Sequence, residues 1–152
     1  MQERSVHMAD LIPLIRESLA MQKSVSFSPK GISMLPMLRQ GKDTVTLSAV
    51  NGPLQMYDIP LYRRDDGAYV LHRVVAVGQT YTCIGDNQFY FETGVRPDQI
   101  IAVVSGFTRG KKYRSVTAAS YRLYCRFWCG TRRMRWFLSR VKRKLGKIFK
   151  RK

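Results

Sequence analysis

The middle of this chain is a succession of short runs that suit a pleated sheet far better than a helix. "TVTLSAV" (44–50), "MYDIPLY" (56–62), "AYVLHRVVAV" (68–77), "TYTCIGD" (80–86) and "QIIAVVSGF" (99–107) are rich in Val, Ile, Tyr and Thr, with turn residues such as Asp65-Asp66-Gly67 between them. β-Branched side chains lose rotamer freedom in a helix and pack well on a pleated surface, so the pattern predicts a mainly β domain. "SVSFSP" (24–29) alternates small polar with apolar residues, as an edge strand does, and Pro29 ends it. Ahead of it, Leu11, Ile12, Leu14, Ile15 and Leu19 fall at spacings near three and four, which predicts an amphipathic helix over 9–21 capping the domain.

Charge divides the chain more sharply than hydropathy does. All ten Asp/Glu lie before residue 109 and are balanced there by ten of the 27 Lys/Arg, so the net charge of +17 belongs to the last 44 residues. The expected organisation is an N-terminal helix (1–23), a neutral domain (24–108) and a basic tail (109–152). In "MRWFLSRVKRKLGKIFKRK" (134–152), Phe137, Val141, Leu145, Ile148 and Phe149 follow a helical period, with Arg140, Lys142, Arg143, Lys144, Lys147 and Lys150 on the flanks and far side. That is a basic amphipathic helix.

No run of 18 apolar residues is present and the N-terminus lacks the pattern of a secretory signal, so neither a membrane span nor export is expected. Cys83, Cys125 and Cys129 are odd in number and form no Cys-x-x-Cys pair, which argues against a disulfide framework or a structural metal and for a reducing compartment.

One string interrupts the strand pattern. "GISMLPML" (31–38) sets a single hydroxyl, Ser33, between apolar residues at a chain reversal, and taken alone it reads as a helix cap. A serine hydrolase needs in addition a base and an orienting acid. Only two histidines are present, His7 and His72, and His72, set inside a β-rich run, is the better-held base. Strict alternation would put it on the face opposite Leu71 and Arg73.

These residues together resemble a known family. "GISMLPML" is similar to the Ser-x-Met-x-Pro box of type I signal peptidases, "YDIPLYRRDDGAYVLHRVVAV" to their segment ending in His-Arg-Val-Val, "CIGDNQFYFETG" to their Gly-Asp-Asn box, and "VRPDQIIAVVSGF" to the strand that follows. The four boxes occur in order over roughly 24–108. The resemblance implies the β fold of the superfamily that also holds self-cleaving repressors, with Ser33 as nucleophile and His72 as general base. A His at this position follows the enzymes of the endoplasmic reticulum, archaea and sporulating bacteria. The orienting acid is Asp86 or Glu92. The implied activity is a serine endopeptidase acting through an acyl-enzyme on a signal or leader peptide, cut after small residues, with no metal or nucleotide.

The tail suggests a partner of its own. A basic helix with an apolar stripe suits the surface of an anionic membrane, peripheral and on the cytoplasmic face. Nucleic acid is the lesser expectation, because the stripe is wasted on phosphate. An alternative is a catalytically inactive module binding membrane or nucleic acid through this tail.

Overall fold

The computed structural model describes residues 8–149, with side chains through residue 142. His7 and the side chains of Leu145, Ile148 and Phe149 from the expected stripe lie outside the described residues.

The protein is mainly β, with one helix before the sheets and two after them. In chain order the elements are α1 (Met8–Ala20), β1 (Val25–Phe27), β2 (Asp43–Ser48), β3 (Pro60–Arg63), β4 (Tyr69–Leu71), β5 (Arg73–Val77), β6 (Tyr81–Ile84), β7 (Glu92–Val95), β8 (Ile100–Arg109), β9 (Lys112–Ser115), α2 (Ala119–Gly130) and α3 (Arg132–Phe149). The larger sheet runs β1-β2-β8-β3-β4 and the smaller β5-β6-β7. Every pairing among the described residues is antiparallel.

β8 is the spine of the larger sheet. Its ten residues pair with β2 along one edge, and with β3 and then β9 along the other. The sheet therefore runs on past residue 108: the expected division there falls inside β8, and the Gly110 turn leads into β9. The helix ahead of the sheets forms as the periodicity predicts, burying Ile12, Ile15 and Leu19 against Val45, Leu47, Leu61 and Val104.

Two expectations need correction. Residues 68–77 are not one strand: the chain leaves the larger sheet after Leu71 and enters the smaller one at Arg73, so His72 sits at the crossing between sheets. Alternation consequently fails there, and His72 and Arg73 are both buried. The basic tail, for its part, begins as core. Tyr121 and Cys125 of α2 belong to the same buried cluster as α1 and the larger sheet. Cys125 has no exposed surface, so its thiol is closed to modification.

What draws α2 inward is a charge. Arg73 and Asp86 are both 0% exposed and form a two-point ion pair, Nε to Oδ1 at 2.8 Å and Nη2 to Oδ2 at 2.7 Å. The rest of the guanidinium donates to Tyr121 Oη (2.7 Å), Cys125 Sγ (2.9 Å) and Met37 Sδ (2.8 Å). Burial works against the charge on Arg73, but the bonds and attraction of Asp86 outweigh it and hold the pKa well above its ordinary value. The Asp86 carbonyl accepts from Trp128 Nε1 (3.0 Å), and Trp128 in turn lies under the Arg135 guanidinium, 3.6 Å from its ring centre.

Asp86→Ala, which strands a buried guanidinium, is expected to cost about 3–5 kcal/mol in urea unfolding. Replacing both partners by apolar residues, Arg73→Met with Asp86→Leu, is expected to recover most of that loss; a double variant as unstable as the single one would mean that charge pairing is not what Asp86 supplies.

Candidate active site

Ser33 lies in a turn rather than at the start of a helix. The turn contains one α-type bond, Leu38 N–H to the Met34 carbonyl at 2.9 Å, and one tighter bond, Leu35 N–H to the Ile32 carbonyl at 3.2 Å. Gly31, with φ near +91°, takes the left-handed conformation that lets the chain reverse just before the serine. The segment is clamped from the Gly-Asp-Asn box: Asn87 N–H donates to the Ser33 carbonyl (2.8 Å) and Asn87 Nδ2 to the Ile32 carbonyl (3.2 Å). Among the described residues, neither the Ser33 N–H nor its hydroxyl makes a hydrogen bond. A free backbone N–H is a donor of the kind that can stabilise a developing oxyanion.

His72 is 2% exposed and is held through one nitrogen. Its Nδ1 lies 2.9 Å from Glu92 Oε1, and the Tyr62 hydroxyl stands 3.4 Å from the same nitrogen. Glu92 is itself fixed. Tyr62 Oη donates to Oε2 at 2.6 Å, Arg64 Nε donates to Oε2 at 2.9 Å, and Arg64 Nη2 pairs with Oε1. With a carboxylate on Nδ1, the proton of the neutral ring sits there and Nε2 is left as the acceptor.

The charges of this group agree with that tautomer. Burial pulls the His72 pKa below its ordinary 6.5, against the attraction of Glu92 and with the help of the Arg64 charge. Burial alone would raise Glu92, but the bonds from Arg64 and Tyr62, together with the charges on His72 and Arg64, bring it below its ordinary 4.5. At neutral pH the pair is therefore imidazole and carboxylate.

The two acids proposed from sequence have separate tasks. Glu92 orients His72, while Asp86 faces away into the Arg73 pair. Gly85, which follows Ile84, the strand partner of Arg73, abuts the Ser33 turn: an added Cβ would stand 2.7 Å from the Ser33 carbonyl oxygen. Among the described residues Ser33 Oγ and the His72 ring make no hydrogen bond to each other.

An apolar groove of about 400 Å³ opens on Ser33, and its walls include Phe27 of β1 and Tyr69, Val70 and Leu71 of β4. β1 and β4 are opposite edges of one sheet, so the sheet curls until both free edges border the groove. Each edge has unpaired backbone groups to offer an extended peptide.

Sequence reasoning did not identify Arg64, Tyr62, Arg73, Gly85 or Asn87 as parts of this assembly. Arg73 carried a signal, a charge in the middle of a β-rich run. Tyr62 and Arg64 carried none, because their roles depend on which strand faces β7. Among the described residues no group of His, Cys, Asp and Glu is placed to hold a metal ion. Comparison with models of protein families, with curated proteins and with solved structures finds no match to this chain.

In a ¹H–¹⁵N titration His72 is expected to gain its proton below pH 6.5, and at lower pH still in Glu92→Gln, where the attraction of the carboxylate is gone. Because the folded pKa lies below the unfolded one, the contribution of His72 to stability is intact above pH 6.5 and is lost as pH falls through the folded value. A midpoint at or above 6.5 would contradict a neutral buried ring.

Proposed function

We propose that the protein is a serine endopeptidase of the signal-peptidase type, hydrolysing a signal or leader peptide through an acyl-enzyme on Ser33. The observation that carries this reading is the Glu92–His72 pair, with Nδ1 engaged by the carboxylate, together with a Ser33 whose hydroxyl and N–H are both free. The substrate lies extended in the groove between β1 and β4. As substrate enters, Ser33 Oγ comes within reach of His72 Nε2, gives up its proton and attacks the scissile carbonyl. The Ser33 N–H donates to the developing oxyanion, and His72 returns the proton to the leaving amine. Water, deprotonated by the same nitrogen, then releases the acyl group. Glu92 keeps the ring in its productive tautomer and stabilises the imidazolium that forms.

The basic C-terminal helices serve, in this reading, to hold the enzyme at the surface of an anionic membrane. No helix among the described residues is long and apolar enough to cross one. Exposed Met134, Phe137, Leu138 and Val141 recur along one stripe of α3, and residues 109–152 contain no acid. That combination suits the cytoplasmic leaflet. A catalytically inactive module with the same tail is the competing reading.

Ser33→Ala is expected to fold and lose all turnover, and a serine-acylating phosphonate should give one adduct on the parent and none on Ser33→Ala or His72→Ala by intact mass. No adduct on a folded parent, with a known serine peptidase labelled alongside, would favour the inactive module. Glu92→Gln is expected to lower turnover by about 10²–10⁴-fold. Gly85→Ala should remain folded with turnover sharply reduced, because the added methyl displaces the Ser33 turn.

A further inference from the structure

A second cavity lies around the corner from Ser33, between the loop that joins β6 to β7 and the start of α3. It has a volume of about 670 Å³ and a lining of two kinds. One side is apolar and open to solvent: Met56, Phe89, Phe91 (55% exposed) and Trp136 (41% exposed). The other holds Arg132 and Arg133, with no acid among the lining residues.

Arg132 is the unusual member. It is only 8% exposed, yet no carboxylate meets it. Its Nε has no hydrogen-bond partner, its Nη2 reaches only Cys129 Sγ at 4.0 Å, and its guanidinium stands over the face of Phe91, 5.8 Å from the ring centre. The nearby Asp86 is already taken up by Arg73. Burial accordingly lowers the Arg132 pKa. A buried guanidinium without a counter-ion is costly, and a bound anion is the direct remedy.

The surroundings narrow the class of anion. A free phosphate has no use for a wall of exposed aromatics, whereas an amphiphile needs both halves of such a site. The unpartnered stripe on α3 continues from the same helix that supplies Arg132, and its charge is complementary to an anionic bilayer.

We propose that this cavity is a headgroup site for an anionic phospholipid, with Arg132 and Arg133 on the phosphate and Phe89, Phe91 and Trp136 against the glycerol and upper acyl chain. The site rests on the membrane reading above and adds a position to it. Phe89 and Trp136 also line the opening beside Ser33, so a lipid seated here sets the mouth of the groove at the bilayer surface. A peptide emerging from the membrane would meet the nucleophile there.

The test uses the full-length Ser33→Ala chain, so that turnover plays no part, titrated by calorimetry with monomeric dihexanoyl phosphatidylglycerol, dihexanoyl phosphatidylcholine and inorganic phosphate. Saturable binding of the phosphatidylglycerol is expected, weaker for the other two. It should weaken about tenfold or more in Arg132→Gln and in Arg133→Gln. Arg126→Gln, with the same loss of charge on α2 outside the cavity, should leave it unchanged. Arg133 is exposed, so its variant decides the matter if Arg132→Gln does not fold.

An equal loss in Arg126→Gln would overturn the site in favour of diffuse attraction. Equal affinity for phosphate would overturn the lipid assignment, as would a single-stranded oligonucleotide that binds more tightly with the same dependence on Arg132. Flotation with phosphatidylglycerol vesicles tests the membrane reading separately. Vesicle binding without saturable binding of the short-chain lipid would sink the headgroup site and leave the tail reading standing. Saturation without vesicle binding would do the reverse.

Discussion

The buried pair of Arg73 and Asp86 is the constraint on which the rest of the structure depends. Two charges without access to water are tolerated only if every donor and acceptor is used. Here the guanidinium spends its donors on a carboxylate, a phenol, a thiol and a thioether drawn from three other parts of the chain. Satisfying one arginine thus sets β5, the turn after β6, the Ser33 segment and α2 in one arrangement. Loss of either partner would leave an uncompensated charge where the sheets, the serine turn and the tail meet.

That arrangement also delivers the candidate site. Asp86 and Glu92 stand at the two ends of one short loop, the first anchored in the core and the second on the strand that reaches His72. Between them Asn87 holds the serine turn by two hydrogen bonds, and Phe89 and Phe91 are turned outward to solvent. A single loop therefore braces the Ser33 turn and presents an apolar surface beside the groove, while the strand it enters carries the carboxylate that meets His72. The same geometry sets Phe89 and the Ser33 turn on one opening.

Much of this was legible in advance because β-rich runs with turn residues between them have few other ways to bury their side chains. Ser33, His72 and Glu92 were nameable because each belongs to a box of residues in a particular order. What the pattern concealed was the break at His72. Residues 68–77 are continuously β-prone, and only the existence of two sheets makes the chain cross from one to the other there. The tail misled in a different way: its charge marked it as an appendage, yet Tyr121 and Cys125 are pulled into the core because Arg73 needs them.

The sequence by itself determined the strand-rich core, the leading helix, the concentration of positive charge in the last 44 residues and the small set of groups able to do acid–base chemistry. These follow from local preference and from counting. Only the tertiary structure decided which acid serves the histidine and which the arginine, because a carboxylate's role depends on what faces it across a sheet. It also decided that Arg132 is buried with no counter-ion, since whether a charge meets a partner depends on residues distant in sequence that folding brings beside it.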